Sequence, residues 1–337
     1  MKKLQQHGFT LIELMVALAL GLIIVAAAVT LFITGQRSYY VQQGAAEIQN
    51  NANFGLNMIT KDLRHTNLDG ASVIMNDRVA YGGIVLTSSA DPYIDTGNAS
   101  AKIGNVPTTI SATNAPKTLL SRSNGDDVGT ANNHWKGESN VTSQTGTAIN
   151  SDQLVIQYRP VNLGGFDCEG NEITEADEYV IQRYFLRKDT NAASTEPNLA
   201  LALACDAGRY KISSPTNFTN YGDAGQIIMQ RVDHFRVLLG IEQGTGTATR
   251  RRFVDVNTYM KDFRSVDPRI GPKIVSVQLG ILARSTQPAG QDDVIKDDME
   301  FSVLDQTVKI KKPTGNPQKY VRQVVSQTVA LRNALGE

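Results

Sequence analysis

The sequence predicts an α+β protein in which a long N-terminal helix carries a mainly antiparallel β-rich head. The first observation behind this fold class is an uncharged apolar stretch at residues 14–34, followed by a proline-free amphipathic stretch up to Leu68. The second is a series of segments beyond residue 152 in which apolar and polar residues alternate, as is typical of antiparallel strands. The 337 residues suffice for one large domain or two smaller ones, and no internal repeat or linker divides the head.

The apolar stretch is long enough to cross a membrane, since about 20 apolar residues span the hydrocarbon core. An ordinary secretory signal would have a shorter apolar run with a small-residue cleavage site behind it. An ordinary signal anchor would fit the length but would leave Gly8 and Glu13 unexplained. Because Lys2 and Lys3 precede the stretch, the positive-inside rule keeps them in the cytoplasm and places the chain beyond about residue 35 outside. In a Gram-negative bacterium, that compartment is the periplasm.

The helix is predicted to continue beyond the membrane as an amphipathic half at residues 35–70. Its apolar residues recur at three- and four-residue steps, which places them on one helical face. They are Ala45, Ile48, Ala52, Leu56, Ile59 and Leu63. A helix from Phe9 to about Leu68 would be roughly 90 Å long at 1.5 Å per residue. We therefore expect a spine whose first half is apolar on all sides and whose second half packs against the head.

The head is predicted to occupy residues 71–337. Residues 71–150 are rich in Ser, Thr, Asn, Gly and Asp, so we expect mostly loop there, with short strands near residues 80–81 and 84–86. Strand patterns follow at residues 154–159, 179–186, 199–203, 235–241, 275–281 and 321–331. Their period-two alternation predicts half-buried strands, and residues 256–263 carry the one helical pattern of this part.

An unusual segment, Gly-Phe-Thr-Leu-Ile-Glu at residues 8–13, joins the basic start of the chain to the apolar stretch. A carboxylate in hydrocarbon costs about 2.5–3.5 kcal/mol on insertion scales, so it is seldom kept without a partner or a task. The segment closely resembles the class III signal of type IV prepilins and pseudopilins.

The resemblance implies how the N-terminus is used. A prepilin peptidase, which is a separate protein, would cleave after Gly8, and the new N-terminal Phe9 would be N-methylated. Glu13 would set the register of assembly by meeting the N-terminal ammonium group of Phe9. The chain then divides into a leader at residues 1–8, a transmembrane and filament-core helix at residues 9–34, the amphipathic half of the spine and the head.

The two cysteines, Cys168 and Cys205, lie 37 positions apart, and neither belongs to a Cys-x-x-Cys motif. In an exported head a disulfide between them is the natural interpretation. It would stabilise the fold by about 3–4 kcal/mol in the chain-entropy model. The alternative is a pair of buried thiols in a cytosolic domain.

Patches of the head resemble the PilW family of minor pilins. They are the turn at residues 167–170, Cys205, and the segments at residues 232–237, 273–285 and 322–333. The resemblance implies a minor pilin that joins other minor and major pilins and the inner-membrane assembly platform in a complex that starts pilus assembly. Such a subunit would stay at or near the tip of a pilus used for twitching motility, adhesion or DNA uptake. Two alternatives remain: a J-type minor pseudopilin of a type II secretion system, and a tip adhesin or DNA-binding subunit.

The sequence predicts neither an enzyme nor a cofactor. Lys plus Arg equal Asp plus Glu at 33 each, so no global basic field favours nucleic acid, and any contact with DNA would be weak. The four histidines lack metal-ligand spacing. The acidic residues at 292–293 and 297–300 lack the spacing of a calcium loop, and we interpret them as a solvated surface. The three arginines at residues 250–252 are interpreted as a basic loop tip between two strands.

Overall fold

A computed structural model describes the protein over most of its length. The described residues are 8–70, 72–77, 79, 81–86, 105–107, 118–123, 128–130, 133–192, 196, 198–244, 246–262, 272–289, 295, 299–312 and 319–334. They form a long helix followed by antiparallel sheets, which confirms the predicted α+β class. Most of the predicted leader and the acidic residues 292–293 and 297–298 lie outside the described residues.

The N-terminal helix, α1, spans Leu11–Leu63 without interruption. The sequence predicts its end near Leu68, and the helix stops one turn earlier. Asn67 and Asp69 adopt left-handed backbone conformations, with φ values of 62° and 48°, which a right-handed helix cannot contain. In the turn that replaces the last helical turn, the Asn67 N–H donates to the carbonyl of Gln157 at 3.1 Å. The spine therefore ends where its backbone begins to bind the head.

The two halves of α1 differ in exposure as the sequence predicts. Residues 11–40 are all exposed, and Gly44 is the first buried residue of the helix. Five of the six predicted apolar residues are buried, namely Ile48, Ala52, Leu56, Ile59 and Leu63, while Ala45 is half-buried. Among the described residues, α1 is the helix that is long and apolar enough to cross a membrane.

The head consists of strands in antiparallel pairs, with a short helix, α2, at Val256–Asp262. The strands are β1 Val128–Thr130, β2 Asn133–Trp135, β3 Val141–Thr142, β4 Leu154–Tyr158, β5 Glu178–Lys188, β6 Leu201–Lys211, β7 Gln226–Gln230, β8 Val232–Gln243, β9 Arg250–Asp255, β10 Lys273–Arg284, β11 Glu300–Val303, β12 Gln306–Ile310 and β13 Arg322–Ala330. Two four-stranded sheets have the orders β4-β5-β6-β7 and β13-β10-β8-β9. A three-stranded sheet has the order β11-β12-β3, and β1 and β2 form a separate pair.

The spine joins the two four-stranded sheets, because α1 packs against β7 of the first and against β10 and β13 of the second. Apolar side chains of the helix and of both sheets meet in one core, which includes Ile59, Tyr184 and Leu279. The three-stranded sheet packs on the other face of the second sheet, where Leu282 meets Val308. The small sheet therefore lies on the side of the head that faces away from the spine.

The prediction of half-buried strands is wrong for β4, β5, β6 and β8, whereas β13 is mostly half-buried. Every residue of β4 is buried, as are the first eight residues of both β5 and β6. One face of this sheet meets the core that contains the spine. Its other face is covered by a second apolar cluster, in which Val155 and Tyr210 meet Leu119 and Leu120 from the region predicted as loop. That polar region supplies a second layer, and this layer buries the face that would otherwise be exposed.

Several short strands differ from the prediction. β7, β11 and β12 were not expected, and residues 84–86 form one isolated bridge, between Ile84 and Ile156, instead of a strand. Tyr81 lies in a turn with φ 62°. The arginines at residues 250–252 are the first residues of the edge strand β9. The interpretation of these residues as a loop tip is therefore wrong. The turn lies before them, at Gly246–Ala248, and it lets Arg251 pair with Glu242 across the two strands at 2.7 Å.

A tight contact between the spine and the head at Gly55 gives a first prediction. A Cβ atom at Gly55 would lie 2.8 Å from Cε and 3.2 Å from Cβ of Met229. We expect Gly55→Val to lower the free energy of unfolding by about 1–3 kcal/mol, because overpacked cores are destabilised by that amount. Chemical denaturation of the detergent-solubilised chain measures the change. Gly35→Val is the matched control, since no atom lies within 4 Å of that Cβ position. Equal effects at both glycines would contradict the prediction.

Candidate processing and assembly site

The segment that carries the predicted cleavage site is accessible. Gly8 to Thr10 precede the helix, and no atom lies within 4 Å of the position where a Cβ of Gly8 would be. The side chain of Phe9 is 91% exposed. The head, whose buried contact with the helix begins at Gly44, leaves this segment open. An enzyme could therefore reach the backbone on both sides of the bond between Gly8 and Phe9.

Glu13 has a partner that the sequence analysis missed. Its carboxylate accepts hydrogen bonds from the backbone N–H of Thr10 at 2.8 Å and from the Thr10 hydroxyl at 2.9 Å. The Thr10 hydroxyl oxygen in turn accepts from the N–H of Glu13 at 3.3 Å. This reciprocal arrangement is a capping box, and its Thr-x-x-Glu pattern before an apolar run was visible in the sequence. The box fixes the start of α1 two residues after Phe9 and holds the Glu13 carboxylate at that end.

The first half of the spine exposes a continuous apolar surface. Its large exposed side chains include Leu18, Ile24, Leu31 and Phe32, and they lie on all sides of the helix. A soluble monomer rarely exposes a contiguous apolar surface of this size. The half therefore requires either a bilayer or other protein chains around it.

The second half of the spine is fixed to the head by a buried polar contact. The Tyr184 hydroxyl donates to the carboxylate of Asp62 at 2.7 Å, and both side chains are buried. Burial raises the pKa of Asp62 from 3.8 to about 6, although the Tyr184 hydrogen bond and the charge of Lys61 lower it. The contact joins the last turn of α1 to the middle of β5, and the sequence analysis did not identify it.

The pKa of Asp62 gives a second prediction. The carboxyl group of Asp62 binds its proton more tightly in the folded chain than in the unfolded chain. The stability that this proton contributes is therefore fully present below about pH 4 and is lost as the pH rises through 6. We expect Asp62→Asn to gain stability relative to the native chain between pH 4 and 7, by no more than about 3 kcal/mol. Denaturation at several pH values measures it. Tyr184→Phe removes a hydrogen bond that lowers the pKa of Asp62, so the loss of stability should move to higher pH. Parallel pH profiles for the native chain and both variants would contradict the prediction.

Cys168 and Cys205 form a disulfide, with Cα atoms 6.1 Å apart and both residues buried. The predicted pairing is thus present. The bond fastens the turn at residues 166–172 to β6 on the side of the sheet that faces the spine, because both cysteines belong to the core that contains Leu63. Asp167 supports the same turn by accepting from Arg209 at 3.0 Å.

Beside the disulfide lie the carboxylates of Glu169, Asp206 and Asp223, all within 4.8 Å of one another. Burial raises the pKa of Glu169 to about 7 and that of Asp206 to about 6. Each carboxylate already accepts a backbone N–H: Glu169 from Ala207, Asp206 from Gly222 and Asp223 from Gly225. We assign no ion to this cluster, which the sequence analysis missed because the three residues are far apart along the chain.

His65 and His234 have structural contacts. His234 is buried, and its ring lies 2.9 Å from the Gln306 side chain and 3.3 Å from the Ser151 hydroxyl. His65 packs beside Tyr158, with ring centroids 5.6 Å apart. These contacts join strands of the head to one another and to the end of the spine.

Comparison with known proteins gives matches at both ends of the chain. Residues 3–29 match the model of the prokaryotic N-terminal methylation motif. Residues 183–333, which are just under half of the chain, match the model of type IV pilus-assembly protein W. No curated protein matches the chain. Among solved structures, a type IV-like pilin from Thermus thermophilus aligns at 14% identity and a TM-score of 0.27, over 55% of this chain and 80% of that one.

Proposed function

We propose that this PilW-like chain, which carries a prepilin-type methylation motif, is a minor pilin of the complex that starts type IV pilus assembly and stays at or near the pilus tip. The observation that carries the proposal is the continuity of α1. One helix carries an exposed stretch without charged residues at residues 14–34 and ends buried between the two sheets of the head. The same element can therefore anchor the head in the membrane and later hold it in a filament.

In this function the described contacts have successive roles. The leader, residues 1–8, is removed at the accessible bond after Gly8, and Phe9 becomes the methylated N-terminus. Its ammonium group then stands one residue before Thr10, whose backbone N–H and hydroxyl the Glu13 carboxylate already binds. An opposite charge close to Glu13 in a low dielectric is worth several kcal/mol, so correct docking of a neighbouring chain is favoured over incorrect docking.

The proposal also assigns partners and a location. Residues 9–34 span the inner membrane before assembly, residues 35–70 join them to the head, and residues 71–337 lie in the periplasm of a Gram-negative cell. The partners are the prepilin peptidase, other minor and major pilins, and the assembly platform in the inner membrane. The chain is a substrate of processing and has no catalytic role of its own.

Intact-mass measurement and N-terminal sequencing of the protein from its own host test this function. We expect a mature chain that starts at N-methylated Phe9 and carries one disulfide, which reductant opens with a gain of two hydrogens. A chain that still starts at Met1 in cells with active prepilin peptidase would contradict the proposal.

The match to the pilus-assembly family favours a pilus over a type II secretion pseudopilus. Deletion of the gene separates the two machines. Loss of twitching with intact protein secretion supports the pilus, and loss of secretion with intact twitching would contradict it. A chain with Gly8→Val, which blocks cleavage by adding a branched side chain at the cut, should behave as the deletion does.

A further inference from the structure

A second exposed apolar surface lies in the head, in the segment between β4 and β5. Three large apolar side chains within six residues point into solvent: Val161 is 62% exposed, Leu163 is 53% exposed and Phe166 is 65% exposed. The segment from Val161 to Phe166, Val-Asn-Leu-Gly-Gly-Phe, has no charged residue. We call these six residues the apolar turn. Exposed apolar surfaces that are contiguous commonly mark sites of protein association.

The apolar turn is held in place by the structure around it. The Gly164 N–H donates to the carbonyl of Ile173 at 2.9 Å, and the Ile173 N–H donates to the carbonyl of Gly165 at 2.7 Å. Directly after the turn, Cys168 is bonded to Cys205. Exposure of the three side chains is therefore built into the fold, and ordering them for a partner would lose little conformational entropy.

The turn lies on the spine side of the head. Cys168 shares a core with Ile59 and Leu63 of α1, and Ile173 packs in a cluster with Leu68, which follows the helix. The backbone N–H of Arg159, just before the turn, donates to the carbonyl of Leu68 at 3.0 Å. The apolar turn is thus beside the C-terminal end of the spine, whereas the exposed half of the spine is at the other end.

We propose that the apolar turn binds the uncharged half of the spine helix of an adjacent pilin-type subunit, an inference that rests on the function proposed above. In this chain the uncharged stretch at residues 14–34 lies within residues 11–40, which are all exposed because the chain's own head leaves them uncovered. Residues 33 and 63 are about 45 Å apart along the axis at 1.5 Å per residue. A parallel neighbour displaced by about that distance brings its uncharged half beside this turn. Contacts between different patches of adjacent chains build a helical filament when the rotation between the chains does not close a ring.

The experiment places a photoreactive benzoylphenylalanine at Phe166 of the full chain in its own host. The matched control carries the same group at Thr307, an exposed residue of β12 on the face away from the spine. We expect adducts from residue 166, mapped by peptide sequencing, to lie in the uncharged helical half of a pilin-type chain, with none of these from residue 307. Adducts only to lipid, to a pilin head or to a protein of another class, or no adduct at all, would overturn the inference.

A second measurement replaces the exposed side chains. Leu163→Ser combined with Phe166→Ser should leave the unfolding midpoint close to native, because surface substitutions usually change stability by about 0.5 kcal/mol or less. The same pair should lower recovery of the chain in sheared pili by about tenfold or more, because burying each such side chain is worth at least that factor. Asn162→Ser is the control inside the turn. If the double variant is recovered in sheared pili at the same level as the native chain, the inference is overturned.

The two proposals fail in different ways. An uncleaved chain that starts at Met1 would refute the proposed function, whatever residue 166 contacts. A chain that is cleaved at Phe9 and found in pili, but whose residue 166 does not contact a spine, would leave the function intact and refute only the binding site assigned to the turn.

Discussion

Asp233→Ala is expected to lower the free energy of unfolding by about 3–5 kcal/mol, the range measured when one partner of a buried ion pair is removed. Asp233 is fully buried at the start of β8. Its carboxylate accepts from Nε of Arg322 at 2.7 Å and from Nδ2 of Asn140 at 2.8 Å, and it lies 3.5 Å from Nε of Arg284. The substitution would remove the carboxylate that Arg322 binds and would leave the buried Arg284 with Glu196 as its remaining acidic partner.

The ion pairs around Asp233 extend this effect to other elements. Arg284 also binds Glu196, and Glu196 pairs with Arg231 at 2.7 Å. The network joins β8, β10 and β13 to the loop after β5. Chemical denaturation of the solubilised chain measures the loss, and the midpoint should fall with little change in slope.

Two controls separate charge from shape in this prediction. Asp233→Asn keeps the size of the side chain but removes the charge, so it should lose a large part of the same stability. Glu242→Ala removes an ion pair with Arg251, whose side chain is mostly exposed, and should change stability by no more than about 1 kcal/mol. An Asp233→Ala chain that unfolds like the Glu242→Ala chain would show that the network contributes little.

The Asp233 network also explains why the sequence predicted elements better than it predicted the core. Apolar periodicity identified the buried face of α1 and the long strands β5, β8 and β10, because those patterns are local. Asp233 and Arg322 are 89 positions apart, so no window of the sequence shows that Asp233 is buried or that Arg322 pairs with it. A sequence analysis ordinarily assigns charged residues to the surface. Only the folded structure shows which charged residues are buried together as partners.

The residues of the candidate site were likewise predictable only where they lie close together along the chain. The segment around Gly8, Phe9 and Glu13 was recognisable because its residues are consecutive, and the Thr10 cap could have been found from spacing alone. The Asp62 contact with Tyr184 could not, because it joins residues 122 positions apart. Val161, Leu163 and Phe166 also escaped notice, since isolated apolar residues in a sequence are ordinarily assigned to a core. Their exposure follows from the backbone hydrogen bonds with Ile173 that hold the turn at the surface.

Removal of the disulfide by Cys168→Ala with Cys205→Ala is expected to lower the free energy of unfolding by about 3–4 kcal/mol. A closed loop of 37 residues restricts the unfolded chain by that amount in the chain-entropy model. Alanine adds no polar atom to the core that holds both positions. Denaturation with and without reductant measures the effect: the native chain should lose stability on reduction, and the variant should not respond. A variant as stable as the oxidised native chain would contradict the prediction.

The same variant separates two roles of the bond. If the disulfide acts only by restricting the unfolded chain, the folded variant should keep the apolar turn in place, and photo-adducts from residue 166 should be unchanged. If it also holds the turn at the surface in the folded state, adduct formation should fall even under conditions where the variant is fully folded. The hydrogen bonds of Gly164 and Gly165 with Ile173 do not involve the cysteines and remain in the variant. We therefore expect the first outcome, in which the stability of the chain falls while contact of the turn with the neighbouring spine is unchanged.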